Sequence, residues 1–240
     1  MLSGKTVFVS GGTGKIGESI CRVFASYGAK VIFSYSKNSE RAKRIENEIP
    51  GSRAVVINVL NIKDIDEKIS ALYKEIETID ILVNNVGVSQ IMPFSLMEEE
   101  DFDLTMDVNV KGTFFLTKAV ARRMIKNRKG CIISIGSIAG HRMYDVPVHY
   151  AISKAAINGL TFALANELKK FNIRVNSIVP GMIEGGVSDG IPDELQKDFL
   201  AHCAAGRAGS SDEVAELAAF IASDKAPYIN GQNILIDGGI

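Results

Sequence analysis

Short runs of β-branched and apolar residues alternate along this chain with longer stretches of helical character, the order a parallel sheet with crossover helices requires. Seven runs read as strands: Thr6-Val7-Phe8-Val9, Lys30-Val31-Ile32-Phe33, Ala54-Val55-Val56-Ile57, Ile81-Leu82-Val83, Cys131 to Ile135, Val175 to Val179 and Ile234-Leu235-Ile236. Helices are expected between them, near residues 15–28, 40–49, 63–77, 99–127, 150–170 and 211–223. With no repeat, low-complexity tract or linker, residues 1–240 read as one α/β domain, doubly wound, with helices on both faces of a seven-stranded parallel sheet. One stretch breaks the rhythm. Gly181 to Gly209 holds Gly185, Gly186, Gly190, Pro192 and Gly206, with a short helix expected from Pro192 to Lys197. A long Gly-punctuated connection in a compact domain points to a substrate loop or lid, here about 182–209.

Composition narrows the function classes. Hydrophobic residues at 46% and charged residues at 23% describe an ordinary globular protein. A formal net charge of −1 offers no global attraction to nucleic acid or to an anionic membrane, so neither is expected as a partner. Cys21, Cys131 and Cys203 are widely spaced and show no metal-ligand pattern, so no metal is expected and a reducing cytoplasm is. The amino-terminal residues enter a strand pattern directly, without the apolar segment of a signal peptide, and no stretch reaches membrane-spanning length.

The first chemical signal is Ser10-Gly11-Gly12-Thr13-Gly14-Lys15-Ile16-Gly17, between the first strand and the first helix. Glycines there let the backbone turn tightly and approach a pyrophosphate, which the N–H groups of a helix N-terminus then meet. Ile16 after Lys15 rules out the Gly-Lys-Ser/Thr ending of a Walker loop. About twenty residues further on, an NAD-binding fold usually places an acid on the adenosine ribose. Here the second strand ends Phe33-Ser34-Tyr35-Ser36-Lys37-Asn38, with no acid before Glu40. Ser36 and Lys37, with Arg41 or Lys15 assisting, suit a 2′-phosphate, so NADP(H) is the expected cofactor.

The second signal is Tyr150-Ala-Ile-Ser-Lys154, preceded thirteen residues earlier by Ser137. On a helix, positions i and i+4 share one face, which places the phenol and the ammonium together. A nearby cation favours the phenolate, so the pair reads as a tyrosine tuned downward for proton transfer to or from a carbinol oxygen.

Ser10 to Gly17, Asn84-Asn85-Val86-Gly87, Asn109, Ser137, Tyr150 and Lys154, in that order, resemble the short-chain dehydrogenase/reductase family, a Rossmann-like fold. The likeness extends to Pro180-Gly181, Gly206 to Gly209 and the closing Asn230 to Gly239. The resemblance implies that Tyr150 is the general acid in reduction and that Lys154 lowers its pKa and holds the nicotinamide ribose. Ser137 would then hold the carbonyl, and Asn109 would anchor a water-linked proton relay. It also implies a cofactor lined by Gly11, Thr13, Gly14, Lys15, Ile16, Gly17, Tyr35, Ser36, Lys37, Asn58, Val59, Asn85, Gly87, Tyr150, Lys154, Pro180, Gly181 and Ile183.

Two departures stand out. Lys15 occupies a place where compact members usually carry glycine, and the threonine usual after Pro180-Gly181 is replaced, with Ser188 a displaced substitute. Among compact members the pattern is most similar to 3-oxoacyl-[acyl-carrier-protein] reductases, implying a carrier-linked 3-oxoacyl substrate and a homotetramer or homodimer paired through the helices around 110–127 and 150–170. Carrier proteins are acidic, so a basic rim near the pocket is expected. Arg128 with Lys126 and Lys129 matches one basic position, whereas Phe171 falls where a second arginine is common. Ile91, Met92, His141, Met143, Tyr144, Val146, His149 and Met182 are candidate pocket residues. Another ketone, a polyketide-type substrate or a sugar is the alternative. A cofactor sensor without catalysis is a further one, disfavoured by the complete Asn, Ser, Tyr and Lys set.

Overall fold

The computed structural model describes residues 1–143 and 145–240; the expected pocket residue Tyr144 lies outside them. Seven strands form one parallel sheet: β1 (Thr6–Val9), β2 (Lys30–Tyr35), β3 (Arg53–Val56), β4 (Ile81–Asn84), β5 (Gly130–Ile135), β6 (Ile173–Pro180) and β7 (Asn233–Ile236). Their spatial order is β3-β2-β1-β4-β5-β6-β7. The register sets Val7 against both Val31 and Ile81, so β1 and β4 sit side by side where the winding reverses. A crevice opens at that switch point, outside the carboxyl ends of the strands.

The inner strands are buried on both faces, as their apolar runs require, whereas the edge strands β3 and β7 are only partly covered. Alternate residues divide between two cores: Val7, Val9, Phe33, Ile133 and Ile135 pack on one side, Phe8, Ile32, Leu82 and Ile132 on the other. The first side is covered by α1 (Lys15–Ser26), α2 (Ser39–Glu48) and α8 (Ser211–Ala222); there Phe24 is fully buried and Ser19 and Ser211 share a 2.7 Å hydrogen bond. Burying a phenylalanine of this kind is worth roughly 1.5–3 kcal/mol. The second side is covered by α3 (Ile62–Leu72), α5 (Thr113–Asn127) and α6 (Val148–Leu168).

The single helix expected over 99–127 is instead α4 (Glu99–Met106), a π-helical turn over Asp107–Gly112, and α5. The widened turn carries Asn109 and ends at Gly112, where an added Cβ would lie 2.9 Å from Val59 Cβ. Such π turns concentrate at functional sites. The expected 182–209 excursion contains a 3₁₀ turn, Gly186–Gly190, and α7 (Asp193–His202), longer than the short helix read from the sequence. It is tied back by pairing of Ile183 with Gly209.

Candidate active site

The glycine turn is built by close packing. Gly11 has a φ of 65°, in the left-handed region, and a Cβ on Gly17 would lie 2.3 Å from Gly11 O. Asn85 secures the turn from the neighbouring strand end: its Nδ2 donates to Ser10 O (3.1 Å) and Gly11 O (3.0 Å), and its own N–H donates to Ser10 Oγ (2.9 Å). Asn85 therefore shapes the turn itself. Beside it lies a cavity of about 530 Å³ reached by Gly11, Thr13, Gly14, Tyr35, Ser36, Lys37, Asn58, Val59, Asn85 and Gly87. These are the expected cofactor positions nearest the switch point. A turn with no room for side chains next to a long polar-edged cleft fits a dinucleotide.

Other expected contacts lie elsewhere. Arg41, read as an aid to Lys37, is turned away and bonds Glu18, with Nε 2.8 Å from Oε2. Lys15 is exposed and lays its stem along Gly185, where an added Cβ would lie 3.3 Å from Lys15 Cγ. Ile183 is 5% exposed and joins the first core; Ile16 packs against that core, and Pro180 ends β6. Gly181 packs against Asp237, with room for no Cβ, and reaches the second cavity described below. Ser188 donates to Ile183 O and lines that second cavity as well.

Around α6 the four expected catalytic residues converge. Asn109 is buried and makes a reciprocal pair with Val88: Val88 N donates to Oδ1 at 2.8 Å and Nδ2 donates to Val88 O at 2.9 Å. Its Nδ2 also meets Ser153 Oγ at 3.0 Å, which links the π turn to α6 one turn from Tyr150. Lys154, 6% exposed, donates from Nζ to Ile135 O at 2.9 Å, and Gly87 lies close to both, since its added Cβ would be 3.5 Å from Asn109 Oδ1 and from Lys154 Nζ. Gly140 lets this corner close, because a Cβ there would lie 2.3 Å from Ala155 N. Ser137 follows β5 as the cap of a 3₁₀ turn, its Oγ accepting from Ala139 N at 3.2 Å, and it hydrogen-bonds the Tyr150 phenol. Its rival Ser134 is buried within β5 and accepts from Asn84 Nδ2 at 3.4 Å, a structural position.

The electrostatics run against one expectation. Burial pushes the Tyr150 phenol up from its ordinary value, while the Ser137 hydroxyl donating to it acts the other way. Lys154 is pushed down to about 8 by burial. Its Nζ lies 5.6 Å from the phenol ring centre and donates to Ile135 O, so the ammonium is engaged by the backbone and desolvation sets the direction of the phenol's shift.

A second cavity, of about 330 Å³, opens in front of Ser137 and Tyr150. Met143, Val146 and Met182 line it as expected. His149 does not: it is fully buried, and burial holds its imidazole below the ordinary value. His141 edges a separate shallow depression. Sequence reasoning missed Ile191, Leu195 and Phe199, which wall the cavity from the α7 side. Their four-residue spacing is the signal that could have found them.

A glycine turn at the switch point and a Ser, Tyr, Lys and Asn cluster gathered around α6 match a known family along nearly the whole chain. The family model described as enoyl-(acyl carrier protein) reductase matches residues 12–240. The chain belongs to the short-chain dehydrogenase/reductase family. It is 36% identical over 244 residues to the 3-oxoacyl-[acyl-carrier-protein] reductase FabG of Thermotoga maritima, covering 100% of this chain and 98% of that protein. It is 35% identical over 239 residues to the same-named protein of Vibrio cholerae, with the same coverage. A short-chain dehydrogenase/reductase from Serratia marcescens superposes with a TM-score of 0.92 at 31% identity, over 99% of this chain and 98% of that one. Membership makes the protein an oxidoreductase of the nicotinamide-using kind. Among the described residues, no group of three or more His, Cys, Asp or Glu is placed to hold a metal ion, and no helix is long and apolar enough to cross a membrane.

Proposed function

We propose that the protein is an NADPH-dependent reductase that converts a 3-oxoacyl thioester, carried on acyl carrier protein, to the 3-hydroxy form. The carrying observation is the Ser137 and Tyr150 hydroxyl pair at the head of an apolar cavity, with Lys154 behind it. NADP(H) bound in the glycine-turn cleft would supply the hydride. The chain's own residues do the rest. Ser137 donates a hydrogen bond to the carbonyl oxygen, Tyr150 Oη gives that oxygen its proton as negative charge develops there, and Asn109 fixes the corner through Val88 and Ser153. Ser36 and Lys37, at the far end of the same cleft, favour a 2′-phosphate where an acid would repel it.

The carrier is supported by the similarity to two 3-oxoacyl-[acyl-carrier-protein] reductases, and a cytoplasmic location by three buried cysteines, none of them in a disulfide. A second reading, a free ketone, is favoured by where the basic residues fall. Arg128 and Lys129 precede β5 whereas Ser137 follows it, so the basic patch lies a strand length, roughly 20 Å, from the phenol in the same subunit. It does not rim the pocket, as the sequence had suggested. Reduction of one 3-oxoacyl group should be followed by NADPH or NADH oxidation, with the group presented on acyl carrier protein or on N-acetylcysteamine. A tenfold higher kcat/KM for the carrier form with NADPH supports the first reading. Equal values for the two forms support the second, and a preference for NADH removes the cofactor assignment.

A further inference from the structure

The reactant cavity has two kinds of wall. Its floor is hydrocarbon, from Ile138, Val146, Met182, Ile191, Leu195 and Phe199. Its charged residues are Asp145 and Asp198; no lysine, arginine or histidine is among its described lining residues. Lys154, 5.6 Å from the Tyr150 ring centre, is buried outside the lining and donates to Ile135 O. Arg142 lies 3.4 Å from Asp237; His202, one turn further along α7 and largely exposed, has Nδ1 2.8 Å from Asp198 O and 3.6 Å from the Asp198 carboxylate, whose charge it offsets only when protonated. The helix that brings Asp198 also carries Asp193 and Glu194 in its first turn, against Lys197.

Resting on the reductase reading, we propose that Asp145 and Asp198 make this a charge-selective pocket, which accepts a 3-oxoacyl group as its neutral ester or thioester and rejects the same group as a free carboxylate. A 3-oxo acid carries its carboxylate one carbon away from the ketone, so docking the ketone against Ser137 and Tyr150 brings that charge into the acid-lined cavity. It meets two carboxylates there and no lining cation. As hydride arrives, the ketone oxygen gains negative character too, and the repulsion grows toward the transition state. The penalty therefore falls on kcat as well as on KM. Esterification or thioesterification removes the charge while preserving the shape that the apolar floor receives.

The test compares S-acetoacetyl-N-acetylcysteamine with acetoacetate, in the intact protein and in Asp145→Asn/Asp198→Asn, near-isosteric changes at exposed positions. We expect kcat/KM for the thioester to exceed that for the acid by at least about tenfold, equivalent to about 1.4 kcal/mol. The double variant should narrow that ratio to about threefold, and each single variant should narrow it part-way. Equal use of the two compounds, or a ratio the double variant leaves unchanged, overturns the proposal. Saturation-transfer NMR with the same two compounds decides it independently of turnover. Absence of turnover with both would defeat the reductase reading alone; thioester binding that excludes acetoacetate, with the exclusion relieved in the double variant, would still uphold the charge selection, and indiscriminate binding would end it.

Discussion

The general-acid role proposed for Tyr150 Oη fixes what losing it should do. A positioned general acid contributes on the order of 10²–10⁴-fold. Tyr150→Phe should lower kcat by about that factor while leaving cofactor affinity, read by NADPH fluorescence titration, nearly unchanged. Lys154 poses a different balance. Its folded pKa of about 8 lies below the ordinary lysine value, so the unfolded chain binds more protons between about pH 8 and 10.4. The buried charge thus costs stability at neutral pH, and stability recovers as pH rises through that window. Lys154→Met should abolish reduction yet raise the unfolding free energy at pH 7 by ~1–2 kcal/mol. The desolvation relief of roughly 3 kcal/mol is partly offset by the lost bond to Ile135 O. In denaturant titrations the gain should shrink toward pH 10; a gain independent of pH would contradict the depressed pKa. Reduction by the native protein should likewise decline above about pH 8, as Lys154 loses its charge.

At the level of elements, placement depends on how helices begin and bend. The π turn at Asp107–Gly112 lets Asn109 face Val88 and Ser153 at once, bonds that tie α4, α5 and α6 into one corner. Helix α8, which backs the first core, starts with a capping box: Ser210 Oγ accepts from Glu213 N at 3.2 Å, and Glu213 Oε2 accepts from Ser210 N at 2.7 Å. Ser210→Ala should cost about 1 kcal/mol in denaturant unfolding. The Arg207 guanidinium beside Glu213, together with the cap, holds its carboxyl down at about 2, below the usual carboxylate range. Its support for the fold is therefore fully present above about pH 4.3 and is lost as pH falls through 2. Acid unfolding of Glu213→Gln should show a shallower pH dependence between those values than the native protein.

Over the whole molecule, apolar side chains left at the surface define what the sheet does not cover. Phe114 on α5 and Ile152 and Phe162 on α6 are 44%, 45% and 56% exposed. These are the two helices through which the sequence suggests subunit pairing, and apolar surface there suits an interface. Phe162→Asp should shift the species seen by light scattering from a tetramer or dimer toward monomer; a native protein that is already monomeric would remove the assignment.

Much of this was legible along the chain, for identifiable reasons. Seven apolar runs foretold seven strands because an inner strand buried on both faces leaves an unbroken hydrophobic signature and β-branched residues mark even the half-covered edge strands, and a Tyr and a Lys four residues apart share a helix face by geometry alone. The glycine turn could be read because close backbone packing excludes every other side chain, as Gly17 against Gly11 shows. Direction and enclosure could not be read. Arg41 turned to Glu18, Lys15 ran along Gly185, and the basic patch fell at the opposite end of β5, because a side chain's partner is set by what folds against it. Solvent access was equally hidden: the Tyr150 phenol lies above its ordinary value and Lys154 below its own because the assembled core strips water from both. The order of residues thus determined the sheet and which groups could meet, while their protonation, their orientation and the acidic residues lining the second cavity were decided only when distant segments packed together.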